Sequence, residues 1–496
     1  MKYIKISIVI LLVCFISIFA YKLTTNNSSN KISLTKEQMK EMLSYTIDGN
    51  STSSMPTKGS GYKVKSITCK SGSILSWDND NWLLEVEKLD SEDLCNIDFT
   101  TGTGSYTVTA VPSISGSLDS TSKTTTENGV VTFYTDAIID SVSGCTNEIS
   151  DGKVIVKNIT SNTTCNINVS YMKLYDKLLA DKTTRPGART DFSKVLTNDN
   201  TKTLYTSTED SKTVYYFAGN ATDNWVKFGK NENNQDLYWR IIRTNSEGSV
   251  RLLYHGTSTT ATDAVINTST AFNSTYNDPM YVGYMYGTSG SLVNNRKNTN
   301  NSTIKGIIDT WYENNLKTNY TKYLSTTAVY CNDRSNPAGG YTTEDSRFYY
   351  GAYTRLVANK TPSYDCATTE DKFTVDTSTG NGKLTYPIAL MTADEVSFAG
   401  GLWDENAPTW YYYNSANGSS TGTNWWWLLS PYGWDGSSAV VFYVYGSSNP
   451  GLLISYGVYS ARGVRPAVSL KSCIRYSTGN GSASDPYTIK ETSSGC

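Results

Sequence analysis

Nucleophilic catalysis by a Ser-His-Asp or Cys-His arrangement needs a base that titrates near neutral pH, a task usually given to histidine. The chain holds one histidine. His255 follows the strand-like run 250–254 and precedes Gly256, so it reads as an ordinary strand-end residue. Neither a Gly-rich phosphate loop nor a His-Glu-x-x-His zinc pattern occurs. Carboxylates crowd at Asp78-Asn79-Asp80 and between Glu232 and Asp236, yet without a spacing that implies a glycosidase; they read as solvated turns rather than calcium sites. The sequence therefore predicts no enzyme, no catalytic residue, no metal and no cofactor.

Cysteine offers structure instead. Of nine cysteines, Cys14 sits inside an apolar run and reads as a member of it. The other eight, Cys69, Cys95, Cys145, Cys165, Cys331, Cys366, Cys473 and Cys496, form no Cys-x-x-Cys pair, which argues against zinc and redox motifs. Their order suggests four local disulfides, Cys69–Cys95, Cys145–Cys165, Cys331–Cys366 and Cys473–Cys496. Each should stabilise by about 3 kcal/mol on the chain-entropy account. Disulfides imply an oxidising compartment. Lys2 and Lys5 precede an apolar stretch from Ile6 to Ala20, and Lys22 opens a polar sequence. The stretch is shorter than the roughly 20 residues that span a bilayer comfortably, but no Ala-x-Ala cleavage pattern follows it. The expectation is a retained single-pass anchor in the cell membrane, with the C-terminal bulk extracellular. A net charge of −2 and the lack of a basic block beyond the N-terminus exclude a nucleic-acid partner.

The segments that position these residues can be read in order. A polar spacer leads to a short helix, with Thr35 and Gln38 at capping-box spacing and Met39, Met42 and Leu43 on one face. Two related segments follow. Lys65-Ser66-Ile67-Thr68-Cys69 parallels Asp140 to Cys145, and Cys95-Asn96-Ile97-Asp98-Phe99 parallels Cys165-Asn166-Ile167-Asn168-Val169. Alternation in the second pair places Cys, Ile and Phe or Val on one face, as do Trp82, Leu84 and Val86 nearby, which suggests small β-sandwich repeats. They resemble the short Ig-like repeats of bacterial surface proteins, whose implied role is a stalk. Helical periodicity returns at 171–181, with Met172, Tyr175, Leu178 and Leu179 in phase. Further on, strands are expected at 237–243 and 250–254, one helix after Ser302 with Ile304, Ile307, Ile308 and Trp311 in phase, and another at Thr392 capped by Glu395.

The most informative stretch is Trp425-Trp426-Trp427-Leu428-Leu429-Ser430-Pro431, then residues 432–462, then Gly463-Val464-Arg465-Pro466-Ala467. Tyr, Ser, Gly and Asn fill 17 of the 31 intervening positions, the composition of an antibody paratope, in which rigid Tyr rings supply contact area and small polar residues adaptable hydrogen bonds. Tyr-rich hairpins pairing across strands would have the same composition. Alternation along Phe442-Tyr443-Val444-Tyr445 would send Tyr443 and Tyr445 outward. The candidate ligand-binding residues are Tyr432, Trp434, Asp435, Ser437, Ser438, Tyr443, Tyr445, Ser455, Tyr456 and Tyr459.

This Trp-Trp-x-Leu-Ser-Pro frame, Tyr/Ser/Gly-rich insert and Gly-Val-Arg-Pro-Ala end resembles an uncharacterised exported domain of Firmicutes, DUF6273-like, over about residues 191–496. The resemblance implies a C-type-lectin or formylglycine-generating-enzyme-like fold and, in some such proteins, an insert rewritten by a diversity-generating retroelement. It implies no calcium-dependent sugar binding, because Glu-Pro-Asn and Gln-Pro-Asp are missing, and no oxidase activity, because no cysteine lies between Cys366 and Cys473. The expected architecture is an anchor (1–23), a spacer and helix (24–45), two all-β sandwich repeats (46–102 and 103–172), a linker (173–190) and a C-terminal α+β lectin-like domain (191–496). The expected function is binding of an unknown protein or glycan ligand on another cell, phage or host. A structural envelope protein, or a hydrolase with an unrecognised carboxylate pair, are the rivals.

Overall fold

The computed structural model describes residues 41–496 except 79–81, 91, 197–201, 262–263, 338, 408–424, 447–448 and 450. Its contacts divide the chain into Met1–Tyr171 and Met172–Cys496. The expected transmembrane segment and most of the first helix lie outside the described residues. Leu43, assigned to that helix, instead opens the strand Leu43–Ile47. Among the described residues no helix is long and apolar enough to cross a membrane.

The first unit contains two modules of one topology. In the earlier module a four-stranded sheet runs Asn50–Thr52, Leu43–Ile47, Cys95–Thr101, Tyr62–Cys69, beside the hairpin Ile74–Asp78 and Leu83–Lys88. In the later one the order is Ile138–Ser143, Thr163–Ser170, Ser105–Pro112, Ser122–Thr126, beside a three-stranded sheet. In both, the last strand runs parallel to the first and antiparallel to the strand leading to the first cysteine. Alternation explains the cores: Cys95, Ile97 and Phe99, like Cys165, Ile167 and Val169, are buried. A fully buried side chain of this size contributes about 1.5–3 kcal/mol. Asp98 departs from the pattern, being 9 % exposed where a solvent-facing residue was expected. Thr46 Oγ1 donates to its carboxylate at 2.6 Å and the Gly49 N–H at 2.9 Å, which satisfies it. The four expected disulfides all form.

The second unit is built on two sheets. The larger runs Tyr205–Glu209, Lys212–Tyr216, Asp236–Thr244, Val250–Gly256, Pro466–Leu470, Ile388–Leu390, with Trp225–Lys230 also on Asp236–Thr244 and Tyr487–Thr488 on Trp225–Lys230. The turn between its two long strands closes with Gly248 at φ +84°, a conformation open to glycine at little cost. The smaller runs Asn267–Ala271, Ala461–Val464, Trp426–Trp434, Ala439–Val444, Leu453–Gly457, with Phe348–Tyr349 also on Trp426–Trp434.

The α+β expectation for this domain is corrected: it is mostly β. The longest described helix, Thr303–Asn315, has 13 residues, begins at the Ser302 cap and buries Ile304, Ile308 and Tyr312. The Thr392–Glu395 capping box forms on Ala393–Phe398. The helix Leu174–Asp181 buries Leu174 and Leu178, whereas Met172 is exposed. These periodicities were legible, but they belong to short helices against sheets. Many of the strands between them have two or three residues, too few for alternation to show in the sequence.

Candidate functional site

The frame around the insert is core. Trp426 and Trp427 are fully buried, and the Trp427 indole donates to the Thr270 carbonyl at 2.8 Å. The Ser430 hydroxyl accepts the Ala393 N–H at 2.9 Å, tying the strand to the capped helix. Arg465, also fully buried, lies over the Trp426 ring at 4.8 Å and donates from Nε and Nη2 to the Tyr254 carbonyl at 3.2 and 3.1 Å. At Gly463 a Cβ would stand 2.9 Å from the Trp425 carbonyl oxygen, so only glycine fits. Trp-Trp-x-Leu-Ser-Pro and Gly-Val-Arg-Pro-Ala are thus two clamps that fasten the insert to both sheets.

Between the clamps the insert makes two strands of the smaller sheet. Val441 pairs with Tyr456, Phe442 with Ser455 and Tyr443 with Ile454. Every residue of Ala439–Val444 is buried, because both faces of this strand are covered. On one face Phe442 meets Trp403 at 5.8 Å and Tyr432 at 5.1 Å. On the other, Tyr443 packs between Trp427 at 6.0 Å and Trp425 at 6.1 Å. There the Arg462 guanidinium lies over Trp425 at 4.3 Å, Tyr443 at 4.9 Å and Tyr456 at 5.0 Å. The expected outward display of Tyr443 is therefore not met: it is 3 % exposed. Tyr445 is half-buried and lies on Trp425 at 4.4 Å. Trp434 is also core at 3 % exposure, with its indole donating to the Asp345 carbonyl at 3.1 Å.

A groove of about 390 Å³ opens along the strand Leu453–Gly457, lined by Tyr432, Trp434, Asp435, Val440, Ser455 and Tyr456 together with Gly457, Tyr459, Arg347 and Tyr349. Of the candidate residues it gathers Tyr432, Trp434, Asp435, Ser455, Tyr456 and Tyr459, and leaves out Ser437, Ser438, Tyr443 and Tyr445. Ser437 and the buried Ser438 serve the hairpin turn, where the Ser437 hydroxyl and both backbone N–H groups donate to Asp435 Oδ1 at 2.7–2.9 Å. Tyr432 stacks on Trp403 at 5.2 Å. Burial, then the neighbouring Tyr349 and Tyr353 phenols, push its hydroxyl up to about 12, so it stays a neutral O–H. Tyr456 and Tyr459 are each 47 % exposed, and with Tyr276 they make a surface patch in which Tyr459 lies 4.8 Å from Tyr276 and 6.4 Å from Tyr456.

Arg347 and Tyr349 were not found from the sequence. They precede the insert by some eighty positions and reach the groove only because Phe348–Tyr349 pairs with Gly433 and Trp434. No composition signal marks them. A bond to the Tyr349 hydroxyl, reinforced by that phenol's charge, raises the already basic Arg347 guanidinium. Arg347 is exposed and takes part in none of the ion pairs among the described residues.

Two other hollows differ from this groove in lining and size. One, of about 1060 Å³, lies at the end of Leu174–Asp181 with Lys177, Lys182, Lys202, Asp181 and Asp223 in its lining and no aromatic side chain. Two of its three lysines are already paired, Lys177 with Asp181 at 3.0 Å and Lys182 with Asp223 at 2.7 Å. In the other, Asp333, Asp394 and Glu395 converge with Arg243, Arg251 and Arg355 around about 10 Å³, room for about one water. Arg355 holds Asp394 in a fork at 2.9 Å on both arms and also bonds Asp333. Arg243 and Arg251 meet Glu395 Oε1 at 2.8 and 2.7 Å. The carboxylates of this cluster are thus paired with its own guanidinium groups. The remaining acidic grouping, Asp93 with Cys69 and Cys95, is no metal site, since the two sulfurs are bonded to each other. Asp93 instead accepts N–H groups of Lys70, Ser71 and Ser73 at 2.6–2.8 Å.

Residues 262–472 match the model of a family described as a domain of unknown function, DUF6273. The match contains the insert, both clamps, Arg347 and the carboxylates Asp333, Asp394 and Glu395, and it omits Arg243, Arg251 and most of the larger sheet. No curated protein and no solved structure matches the chain.

Proposed function

We propose that this protein is a recognition protein working outside the cytoplasm, and that the groove bounded by Tyr432, Ser455, Tyr456, Tyr459 and Arg347 is where it takes hold of its ligand. The observation that carries this is the collection of insert residues on one open surface of about 390 Å³, with two half-exposed tyrosines at its rim. Ligand sites combine apolar, aromatic walls with a few placed polar groups, and Tyr rings lose little entropy when they make contacts. Four disulfides favour an oxidising compartment. The frame also supports the finer reading that the insert belongs to the diversified kind seen in similar exported domains. Clamps rooted in the core would let exposed positions change without unfolding the sheet.

The test is retention of labelled components from bacterial and host cell extracts on the immobilised full chain, compared with a Tyr456→Ala/Tyr459→Ala variant of equal melting temperature. A component held by the unsubstituted chain and lost by the variant is expected. Equal retention by both would move the ligand elsewhere and leave the groove without a role.

A further inference from the structure

The strand Leu453–Gly457 closes the smaller sheet on one side, and the pairing of its backbone fixes which groups face outward. Tyr445 N–H donates to the Leu452 carbonyl at 2.8 Å, and Val458 N–H to the Ala439 carbonyl at 2.9 Å. Residues 452, 454, 456 and 458 therefore turn their backbone groups toward Ala439–Val444, and 453, 455 and 457 turn theirs to the opposite flank, as antiparallel pairing requires. On that flank Leu453 is used: its N–H donates to the Leu402 carbonyl at 3.2 Å and its carbonyl accepts the Asp404 N–H at 3.0 Å. The Trp403 segment runs parallel to the strand there. Beyond it, among the described residues, the sheet has no further strand on this side. Ser455, half-buried, turns both its N–H and its carbonyl to this flank, whereas Gly457 is buried and its carbonyl takes the Ser460 N–H at 3.1 Å.

Ser455, Tyr456 and Gly457 are also lining residues of the groove. A sheet edge, an aromatic hollow and an exposed cation thus lie side by side. Resting on the recognition reading, we infer that the ligand is an extended polypeptide that adds as a further strand along Ser455–Gly457. In this arrangement the main-chain N–H and carbonyl of Ser455 anchor the added strand, and alternate side chains supply specificity. An apolar or aromatic side chain enters between Tyr432, Val440 and Tyr459, and an acidic one meets Arg347. Asp435, in the same lining, acts on Arg347 through space but forms no ion pair with it, and its Oδ1 holds three donors of its own turn.

The experiment pans a random dodecapeptide phage library on the full chain and measures the selected peptides by fluorescence polarisation. Acidic-apolar alternating peptides are expected, weakened at least tenfold by Arg347→Glu. Ser455→Pro should weaken them as much while leaving the melting temperature within a few degrees, since proline is tolerated on an edge strand where its missing N–H faces away from the ladder. If Ser455→Pro does not fold, N-methyl scanning of the peptide on the unsubstituted chain gives the same information: loss at every second residue supports strand addition, and indifference to N-methylation overturns it. A parallel panel of immobilised neutral and acidic polysaccharides separates the two levels of the argument. Polysaccharide retention that depends on Tyr456 and Tyr459, with no peptide selected, overturns strand addition and leaves the groove as the recognition site. Failure of both panels overturns both.

Discussion

At the residue scale, tyrosines of one insert have opposite fates, and the difference is measurable. Tyr443 is held between Trp425, Trp427 and Arg462, so truncating it removes a buried ring; Tyr443→Ala should cost about 3–5 kcal/mol of stability, read as a lowered urea midpoint. Tyr456→Ala and Tyr459→Ala remove half-exposed rings and should shift the midpoint little while abolishing ligand retention. Period-two alternation separated Tyr443 from Phe442 correctly. It could not say that both faces of the strand are covered, because the covering groups, Trp403 and Arg462, come from other parts of the chain. A second prediction concerns Glu395. Burial pushes its carboxyl up, but Arg251 and Arg243 more than offset this and hold it below the ordinary carboxylate range; Glu209 is lowered in the same way by Arg243. A folded value below the unfolded one means stability that is complete above about pH 4.3, the unfolded glutamate value, and that is lost as pH falls through the depressed folded value. Glu395→Gln should cost about 3–5 kcal/mol at neutral pH by leaving two buried guanidinium groups under-compensated, and should flatten the acid limb of the unfolding profile. An unchanged acid limb would mean that other carboxylates control it.

At the element scale, what could be read was whatever carries its own local signature. The Thr392–Glu395 box and the Ser302 cap are four-residue patterns with a mechanism, and the alternation of Cys95-Asn96-Ile97-Asp98-Phe99 needs no distant partner. The two-residue strands Phe348–Tyr349 and Met285–Tyr286 have no such signature and exist only through pairing, which is why Arg347 escaped notice. The modules of the first unit make a further element-scale prediction. The earlier one has a buried core of Trp82, Leu84, Ile97 and Phe99, small enough that a disulfide should decide whether it holds together. Cys69 and Cys95 are cross-strand partners, and Asp93 fastens the loop that follows Cys69, where burial is outweighed by N–H donors of Ser73, Ser71 and Lys70 that keep its carboxyl low. Mild reduction followed by limited proteolysis should therefore cut within residues 43–101 before it cuts the second unit, as read by mass spectrometry of the fragments. First cleavage within 172–496 would place the weaker core there.

At the scale of the whole molecule, the insert joins the central strands of one sheet to the surface, and that arrangement sets what variation the chain can carry. If the insert is of the diversified kind, tolerance must follow burial. Changes should gather at Asp435, Gly436, Ser437, Tyr456, Tyr459 and Ala461, which face solvent, and should spare Ala439–Val444, Leu453 and Val458, which do not. The clamps Trp426, Trp427, Gly463 and Arg465 should stay fixed for a separate reason: each is fully buried or, at Gly463, leaves no room for a Cβ. Substitution in any of them would unfasten the smaller sheet from the larger rather than alter a surface. Deep sequencing of the coding region for residues 424–470 across a growing population and its close relatives tests this. Variation concentrated at the solvent-facing codons, and at adenines within them, would join the groove to a diversifying mechanism. Variation spread evenly over buried and exposed codons would contradict the structural reasoning, because the strand Ala439–Val444, buried on both faces, cannot absorb it. Equal quiet in insert and clamps would leave the reading as a structural envelope protein ahead.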